Sequence, residues 1–170
     1  MSPYNVLFIC NGNSARSIIA EALLNHWGQG RFHTYSAGSR PKGFVHPLAI
    51  EALERANVPV PARGSKSWEE FARPDAPHMD FVFTLCDEAA GETCPIWPGH
   101  PVTAHWSTPD PAVVEAPEDQ RHAFAQVFHD IDMRVKILTS LRLESLDHLA
   151  VKEEVTRIGA LSSSTAPATR

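Results

Sequence analysis

Short apolar runs with strand character alternate with helical segments along most of the chain. The first unit is the run YNVLFI at Tyr4–Ile9, the turn-rich CNGNS, and a helix from Ala15 that stops at Gly28. Further apolar runs predict strands at His33–Ser36 and Asp80–Leu85. Strands joined by helices favour a parallel sheet covered on both faces. We therefore predict an α/β fold with three layers, a central parallel four-stranded sheet flanked by helices.

The rest of the sequence predicts the other helices, one more strand and the domain boundary. The first helix has one apolar face, which carries Ile18, Ile19, Ala22, Leu23 and Trp27. Further elements are predicted as helices at Pro47–Asn57, Ser67–Ala72, Ala116–Leu143 and Leu146–Ile158, and as a short strand at Val102–Trp106 in the loop-rich segment Asp87–Pro117. We expect residues 1–158 to form a single domain. The small, polar residues 159–170 predict a flexible tail, so truncation after Gly159 is expected to leave activity intact.

Composition limits the classes of partner. The 170 residues suffice for one domain, and 43% hydrophobic residues provide a core that needs no disulfides. The net charge of −5 argues against nucleic acid or an anionic membrane as a partner, so any anion must be bound locally. The N-terminus lacks the pattern of a secretory signal, and no apolar run is long enough to span a bilayer. We expect a cytoplasmic protein whose three cysteines are free, catalytic or metal-bound.

The segment CNGNSARS is the strongest functional signal. A cysteine and an arginine, Cys10 and Arg16, enclose a Gly-Asn turn that leads from a strand into a helix. Backbone N–H groups and the helix N-terminus can bind a tetrahedral oxyanion there, and the same positive potential favours a thiolate at Cys10. Ser17 can donate a hydrogen bond to that sulfur. The predicted substrate-binding residues are Cys10, Asn11, Gly12, Asn13, Ser14, Ala15, Arg16 and Ser17. The alternative is a buried cysteine that merely ends a strand.

Asp110 lies between Pro109 and Pro111, which stiffen the loop and fix the direction of its carboxylate. A carboxyl group placed in this way can act as a general acid. From the residues alone, an ordinary loop aspartate in a proline turn remains the alternative.

Cys86 and Cys94 are separated by seven residues, a spacing unlike C-x-x-C or zinc-ligand motifs. A helical segment between them would hold the two sulfurs apart, so a disulfide would require local unwinding. Two incidental cysteines are the alternative. The histidines form no H-x-x-H pair, so we interpret His26, His46 and His105 as surface or supporting groups and predict no metal site built from them.

The loop CNGNSARS with IIAEALLN and YSAG resembles the low-molecular-weight protein tyrosine phosphatase family, and particularly the arsenate reductases that share its fold. The arsenate reductases are indicated by TLCDEAAGETCP, AHW and DPA, the last of these including Asp110. The resemblance covers about Tyr4–Leu143. At Ala15 the chain departs from relatives that carry another cysteine there, which places more weight on Cys86.

This resemblance implies a reaction. Cys10 attacks arsenate, Asp110 protonates the departing oxygen, Cys86 displaces arsenite to form a disulfide with Cys10, and Cys94 then attacks Cys86. No tightly bound cofactor is implied, but an external thiol is: thioredoxin, glutathione with glutaredoxin, or mycothiol. Phosphate and sulfate would compete with arsenate.

In some relatives, residues matching Asn13, Glu21 and Ser36 hold a monovalent cation, which implies a potassium site here. Two other functions stay open. A phosphatase would use Cys10, Arg16 and Asp110 with water in place of Cys86. A non-catalytic oxyanion-binding or redox-sensing protein would not turn over with a thiol reductant.

Overall fold

Four parallel strands form the centre of the protein, in the spatial order β2-β1-β3-β4. A computed structural model describes residues 2–86 and 97–161 of the chain. The strands are β1 (Tyr4–Cys10), β2 (Phe32–Gly38), β3 (Phe81–Thr84) and β4 (Val102–His105). Ile9 of β1 pairs with Ala37 of β2 and with Thr84 of β3, so the carboxyl ends of these strands meet at one edge of the sheet.

Helices cover the sheet. They are α1 (Arg16–Trp27), α2 (Pro47–Arg55), α3 (Pro117–Ser140) and α4 (His148–Gly159), with short 3-10 helices at Trp68–Phe71, Pro111–Val113 and Leu143–Ser145. Helix α1 packs on α3, and α4 packs on β4. The central strand β1 is buried without a break from Val6 to Cys10, as expected for a strand covered on both faces. The predicted three-layer α/β fold is confirmed.

Aromatic residues at the centre of the core connect the sheet to α4. The rings of Phe83 and Trp106 are stacked with centroids 4.3 Å apart, and Phe8 lies 5.9 Å from Trp106. Trp106 is fully buried, and its indole Nε1 donates a hydrogen bond to the carbonyl of Val155 in α4 at 2.9 Å. A buried indole therefore fixes the position of the chain directly after β4.

The structure differs from the sequence-based expectation at several points. Trp27 was expected on the apolar face of the first helix, but it is 46% exposed. Arg16 to Leu24 are all buried, and α1 leaves the core only at its end, where Trp27 lies. The indole of Trp27 instead donates to Asp132 on the surface. The segment predicted as a helix at Ser67–Ala72 is a single 3-10 turn, for which the Ser67 side chain accepts a bond from the Glu69 amide.

Some predictions fall outside the described residues. These include Cys94, the other residues of 87–96, and 162–170 of the predicted tail. Helix α4 ends at Gly159, and the carbonyl of Leu161 accepts a hydrogen bond from Arg134, so packed structure continues to Leu161. The domain end at residue 158 stays a prediction. In the described part of the chain, every helix is too short or too polar to cross a membrane.

Candidate active site

The anion loop, residues 10–16, joins the end of β1 to the start of α1. Cys10 is the last residue of β1, and Arg16 is the first residue of α1. Between them, Asn13 has a φ of 45°, a left-handed conformation that asparagine tolerates better than most residues. The loop can therefore turn tightly and bring the thiol and the guanidinium to the same pocket.

A second segment holds the loop from outside. Three loop carbonyls accept hydrogen bonds from backbone amides that follow β2: Asn11 from Arg40, Gly12 from Lys42 and Ser14 from His46, at 2.9, 2.9 and 2.8 Å. With these carbonyls turned outward, the loop N–H groups can face the pocket, the arrangement that binds anions. Gly38 allows the close approach, since a Cβ there would lie 2.5 Å from the carbonyl oxygen of Asn11.

A directed chain of hydrogen bonds ends at the sulfur of Cys10. The Lys66 amide donates to Asn13 Oδ1 at 2.8 Å, which fixes the orientation of the Asn13 side chain. Asn13 Nδ2 then donates to Ser17 Oγ at 2.7 Å, and Ser17 Oγ lies 2.9 Å from Cys10 Sγ. Because Ser17 already accepts from Asn13, its own hydrogen is available to the sulfur. The chain therefore ends in a hydroxyl that can donate to the sulfur of Cys10.

Arg16 and Asp110 meet at the mouth of the pocket. Arg16 Nη1 donates to the carbonyl of Thr108 at 3.0 Å, and Arg16 Nη2 lies 3.6 Å from Asp110 Oδ2. The other carboxylate oxygen of Asp110 accepts from the Ala112 amide at 2.9 Å, as the N-cap of the 3-10 helix. The side chain of Asp110 is 33% exposed. A carboxyl group with one oxygen held and the other at the pocket can exchange a proton with a bound anion.

The pocket has a volume of about 270 Å³, which suits a small anion. Its lining includes the residues of the anion loop from Cys10 to Arg16, together with Asp110. It also includes two residues that the sequence analysis missed, Arg40 and Lys42. Both follow β2, which ends at the same sheet edge as β1, so their place in the chain could have identified them.

The predicted cation site contains a lysine. Lys66 Nζ lies 3.8 Å from Glu21 Oε1 and 3.3 Å from Ser36 Oγ, and it donates to the carbonyl of Gly64 at 2.6 Å. Burial raises the pKa of Glu21, while the Ser36 hydrogen bond and the Lys66 charge oppose that shift. Burial also lowers the pKa of Lys66, against the charge of Glu21. Since an ammonium group already lies beside the carboxylate and the hydroxyl, which are hydrogen-bonded to each other, these residues do not fit a potassium ion as well.

Cys86 lies at the same sheet edge as Cys10. Its neighbour Leu85 donates a backbone hydrogen bond to Ile9, the residue before Cys10, at 2.8 Å. Neighbouring strands are about 4.8 Å apart, so the backbones at the two cysteines are close. Both cysteines are buried, with Cys86 3% exposed. The structure therefore brings Cys86 next to the anion loop, whereas Cys94 lies outside the described residues.

Two of the histidines, His46 and His105, have supporting roles in the described structure. His46 is the N-cap of α2, where its Nδ1 accepts from the Leu48 amide at 3.1 Å and its ring packs on Phe124. Burial lowers the pKa of His46, and the Lys42 charge adds to this effect. His105 forms a hydrogen bond with the Thr84 hydroxyl at 2.8 Å. Within residues 2–86 and 97–161, no cluster of His, Cys, Asp or Glu could hold a metal ion.

The chain is similar to known proteins over most of its length. Residues 5–154 match the profile of the low molecular weight phosphotyrosine protein phosphatases. An arsenate reductase of Bacillus licheniformis is 36% identical over 138 residues, which cover 80% of this chain and 95% of that protein.

Solved structures give the same result. The arsenate reductase of Archaeoglobus fulgidus superposes with a TM-score of 0.63 at 25% identity, over 80% of this chain and 99% of that one. A thioredoxin-dependent arsenate reductase of Corynebacterium glutamicum superposes with a TM-score of 0.61 at 29% identity, over 85% of this chain and 65% of that one. Sequence and fold are therefore similar to the same class of protein.

Proposed function

Because this chain belongs to the low molecular weight phosphotyrosine protein phosphatase family and is similar in sequence to arsenate reductases, we propose that it reduces arsenate to arsenite with thiols as reductant. The observation that carries the proposal is the position of Cys86. A loop suited to a tetrahedral oxyanion follows β1, and a second buried thiol, that of Cys86, follows the neighbouring strand β3 at the same edge of the sheet. A phosphatase needs no second thiol, whereas a reductase does.

The first step forms a covalent intermediate on Cys10. Its thiolate attacks the arsenic of an arsenate held by Arg16 and the loop amides. Asp110 donates a proton to the departing oxygen, which leaves as water. The product is a Cys10 thioarsenate in which arsenic is still pentavalent.

The second step transfers electrons. The Cys86 thiolate attacks Cys10 Sγ, the sulfur–arsenic bond breaks, and its electron pair stays on arsenic. Arsenic is reduced from the pentavalent to the trivalent state while two thiols become one disulfide. Cys94 then attacks Cys86, which releases Cys10 as a thiolate and leaves a Cys86–Cys94 disulfide for an external thiol to reduce.

Thioredoxin is the reductant that this relay favours, because a disulfide carried away from the anion loop can be reached by a protein dithiol. The thioredoxin-dependent enzyme of Corynebacterium glutamicum supports this choice. Glutathione with glutaredoxin, or mycothiol, is the alternative, which would leave Cys94 without a role.

We further propose that the enzyme needs no potassium, because the Lys66 ammonium supplies a positive charge beside Glu21 and Ser36. Arg40 and Lys42 add positive charge to the pocket mouth and would draw arsenate, phosphate or sulfate to the loop.

Phosphate monoester hydrolysis is the second candidate, since the family profile and the set of Cys10, Arg16 and Asp110 serve that reaction equally. Most side chains identified in the pocket lining of the described structure are polar or charged, and none of them is an aromatic ring that could pack on an aryl ester. This lining favours a small inorganic anion.

The deciding experiment measures arsenite formation by the purified protein in two parallel assays. One contains thioredoxin, its reductase and NADPH; the other contains glutathione, glutaredoxin and glutathione reductase. We expect multiple turnovers with thioredoxin for the wild type. In Cys94→Ser we expect only about one arsenite per protein. Hydrolysis of an aryl phosphate without arsenite formation in either assay would instead identify a phosphatase.

A further inference from the structure

Arg134 is a buried arginine of α3 that points at the turn after β4. It is 3% exposed, and the pocket lining does not include it. Its Nη1 donates to the carbonyl of Trp106 at 3.1 Å and to Thr108 Oγ1 at 3.0 Å, while Nε donates to the carbonyl of Leu161 at 2.9 Å. One guanidinium therefore binds the turn after β4 and the end of α4 together.

The same turn also contacts the active site. The Thr108 hydroxyl donates to the carbonyl of Trp106 at 2.8 Å, and the Thr108 amide donates to Leu85 at 2.8 Å. The Thr108 carbonyl accepts from Arg16 Nη1. Asp110, two residues further on, faces Arg16 Nη2. The position of Thr108 thus sets where the guanidinium of Arg16 lies.

We propose that Arg134 is a positioning residue for oxyanion binding, which acts through the turn at Thr108 to hold Arg16 and Asp110 in place. The proposal rests on the proposed function only in so far as the anion loop binds a tetrahedral oxyanion. Arg16 must present its N–H groups at fixed angles to grip two oxygens of such an anion. A turn that moved by a fraction of an ångström would misalign them.

Stability alone does not account for a buried arginine here. Burial lowers the pKa of Arg134 against the charge of Asp130, one helical turn earlier and itself 4% exposed. Replacing buried charges by apolar side chains is often neutral or stabilising for a fold. What an apolar side chain cannot do is hold three acceptors, on two separate segments, in a fixed geometry.

Arg31 offers a matched control. It also donates to main-chain carbonyls, those of Thr139 and Leu141, at 2.6 and 3.0 Å. Those carbonyls lie at the end of α3, and Arg31 does not contribute to the pocket. Arg31→Lys and Arg134→Lys both remove guanidinium bonds to main-chain carbonyls, but only Arg134→Lys disturbs the turn that binds Arg16.

The test measures phosphate binding by isothermal titration calorimetry and the melting temperature, for the full chain and both variants. For Arg134→Lys we expect the phosphate Kd to rise about tenfold, as when one charge-assisted hydrogen bond is lost. Arg31→Lys is expected to keep the wild-type Kd even if its melting temperature falls. If both variants lose stability and both keep the wild-type Kd, Arg134 is only a structural residue and the proposal is wrong.

A second variant, Thr108→Val, tests the same link if Arg134→Lys does not fold. It keeps Arg134 and the Thr108 carbonyl but removes the hydroxyl that Arg134 binds. We expect a phosphate Kd raised several-fold, and an unchanged Kd would overturn the proposal. Calorimetry needs no turnover, so the result stands even if arsenate is not the substrate. If the wild-type protein does not bind phosphate, the anion site itself is wrong, and with it the proposal that depends on that site.

Discussion

The Nζ atom of Lys66 lies 3.8 Å from Oε1 of Glu21, and both side chains are buried. Ser36 donates to the same Oε1 at 2.5 Å, and the Lys66 amide binds Asn13 in the anion loop. This ion pair therefore lies directly behind the hydrogen-bond chain that leads to Cys10. Its removal is expected to affect both stability and the site.

Lys66→Met leaves the Glu21 carboxylate buried without its partner. Breaking a buried pair in this way costs about 3–5 kcal/mol, so we expect a loss of this size in the free energy of unfolding, measured in urea. The double variant Lys66→Met/Glu21→Gln removes the unpaired charge and should recover at least half of that loss. Equal losses in the single and double variants would show that the pair is not coupled.

Potassium is expected to have no effect on the wild-type enzyme. Arsenate reduction is measured after exhaustive dialysis, with potassium chloride or tetramethylammonium chloride at the same ionic strength. Because the Lys66 ammonium already lies beside Glu21 and Ser36, we expect kcat/KM to agree within about twofold. A saturable activation by potassium would contradict the proposal that Lys66 replaces the ion.

The two described cysteines are expected to separate the reductase from the phosphatase reaction. Cys10→Ser should abolish arsenate reduction and any hydrolysis of p-nitrophenyl phosphate, because both begin with attack by this thiolate. Cys86→Ser should abolish catalytic arsenite formation and leave the hydrolysis intact. Full multiple turnover in Cys86→Ser would exclude the proposed thiol relay.

Ser17→Ala removes the hydroxyl that lies 2.9 Å from Cys10 Sγ. A hydrogen bond to a charged group contributes about 1.5–3 kcal/mol, so we expect kcat/KM to fall roughly ten- to a hundredfold. In a Cys86→Ser/Cys94→Ser background, where Cys10 is the one remaining cysteine, alkylation by iodoacetamide at pH 7 should slow in parallel. The exposed Ser140→Ala is the control and should change neither rate.

Asp110→Asn separates proton donation from anion binding. Loss of a general acid usually costs a factor of about 100–10,000, and we expect kcat to fall within that range. The phosphate Kd should stay the same or decrease, because the substitution removes a negative charge 3.6 Å from Arg16. A weaker phosphate affinity with unchanged kcat would indicate that Asp110 organises the loop and donates no proton.

The sequence predicted those parts of the molecule in which local pattern and tertiary structure agree. The apolar run before Cys10, the turn and the helix after it gave the β1–α1 unit, and the structure brings Cys10, Arg16 and Ser17 together within it. The prediction that Trp27 lies on the buried face of the first helix was wrong. Helix α1 is buried on all sides for most of its length, so its apolar periodicity did not identify a single inner face.

Other residues could not be identified because their importance depends on long-range contacts. Lys66 reaches Glu21 across 45 positions, and Arg134 reaches Thr108 across 26. Nothing in the local sequence distinguishes these basic residues from exposed ones such as Lys136. Only the packing of the helices against the sheet shows that they are buried.

The carbonyls of the anion loop are held from behind by the segment after β2, so the loop keeps its shape whichever oxyanion enters. Arsenate and phosphate, which have the same shape and charge, should then exchange with little difference in affinity. Selection between them must occur after binding, since only arsenic can accept the electron pair released when the bond to Cys10 breaks. In a phosphate-rich environment the protein would be occupied mostly by phosphate, and its rate of arsenate reduction would depend on the ratio of the two anions.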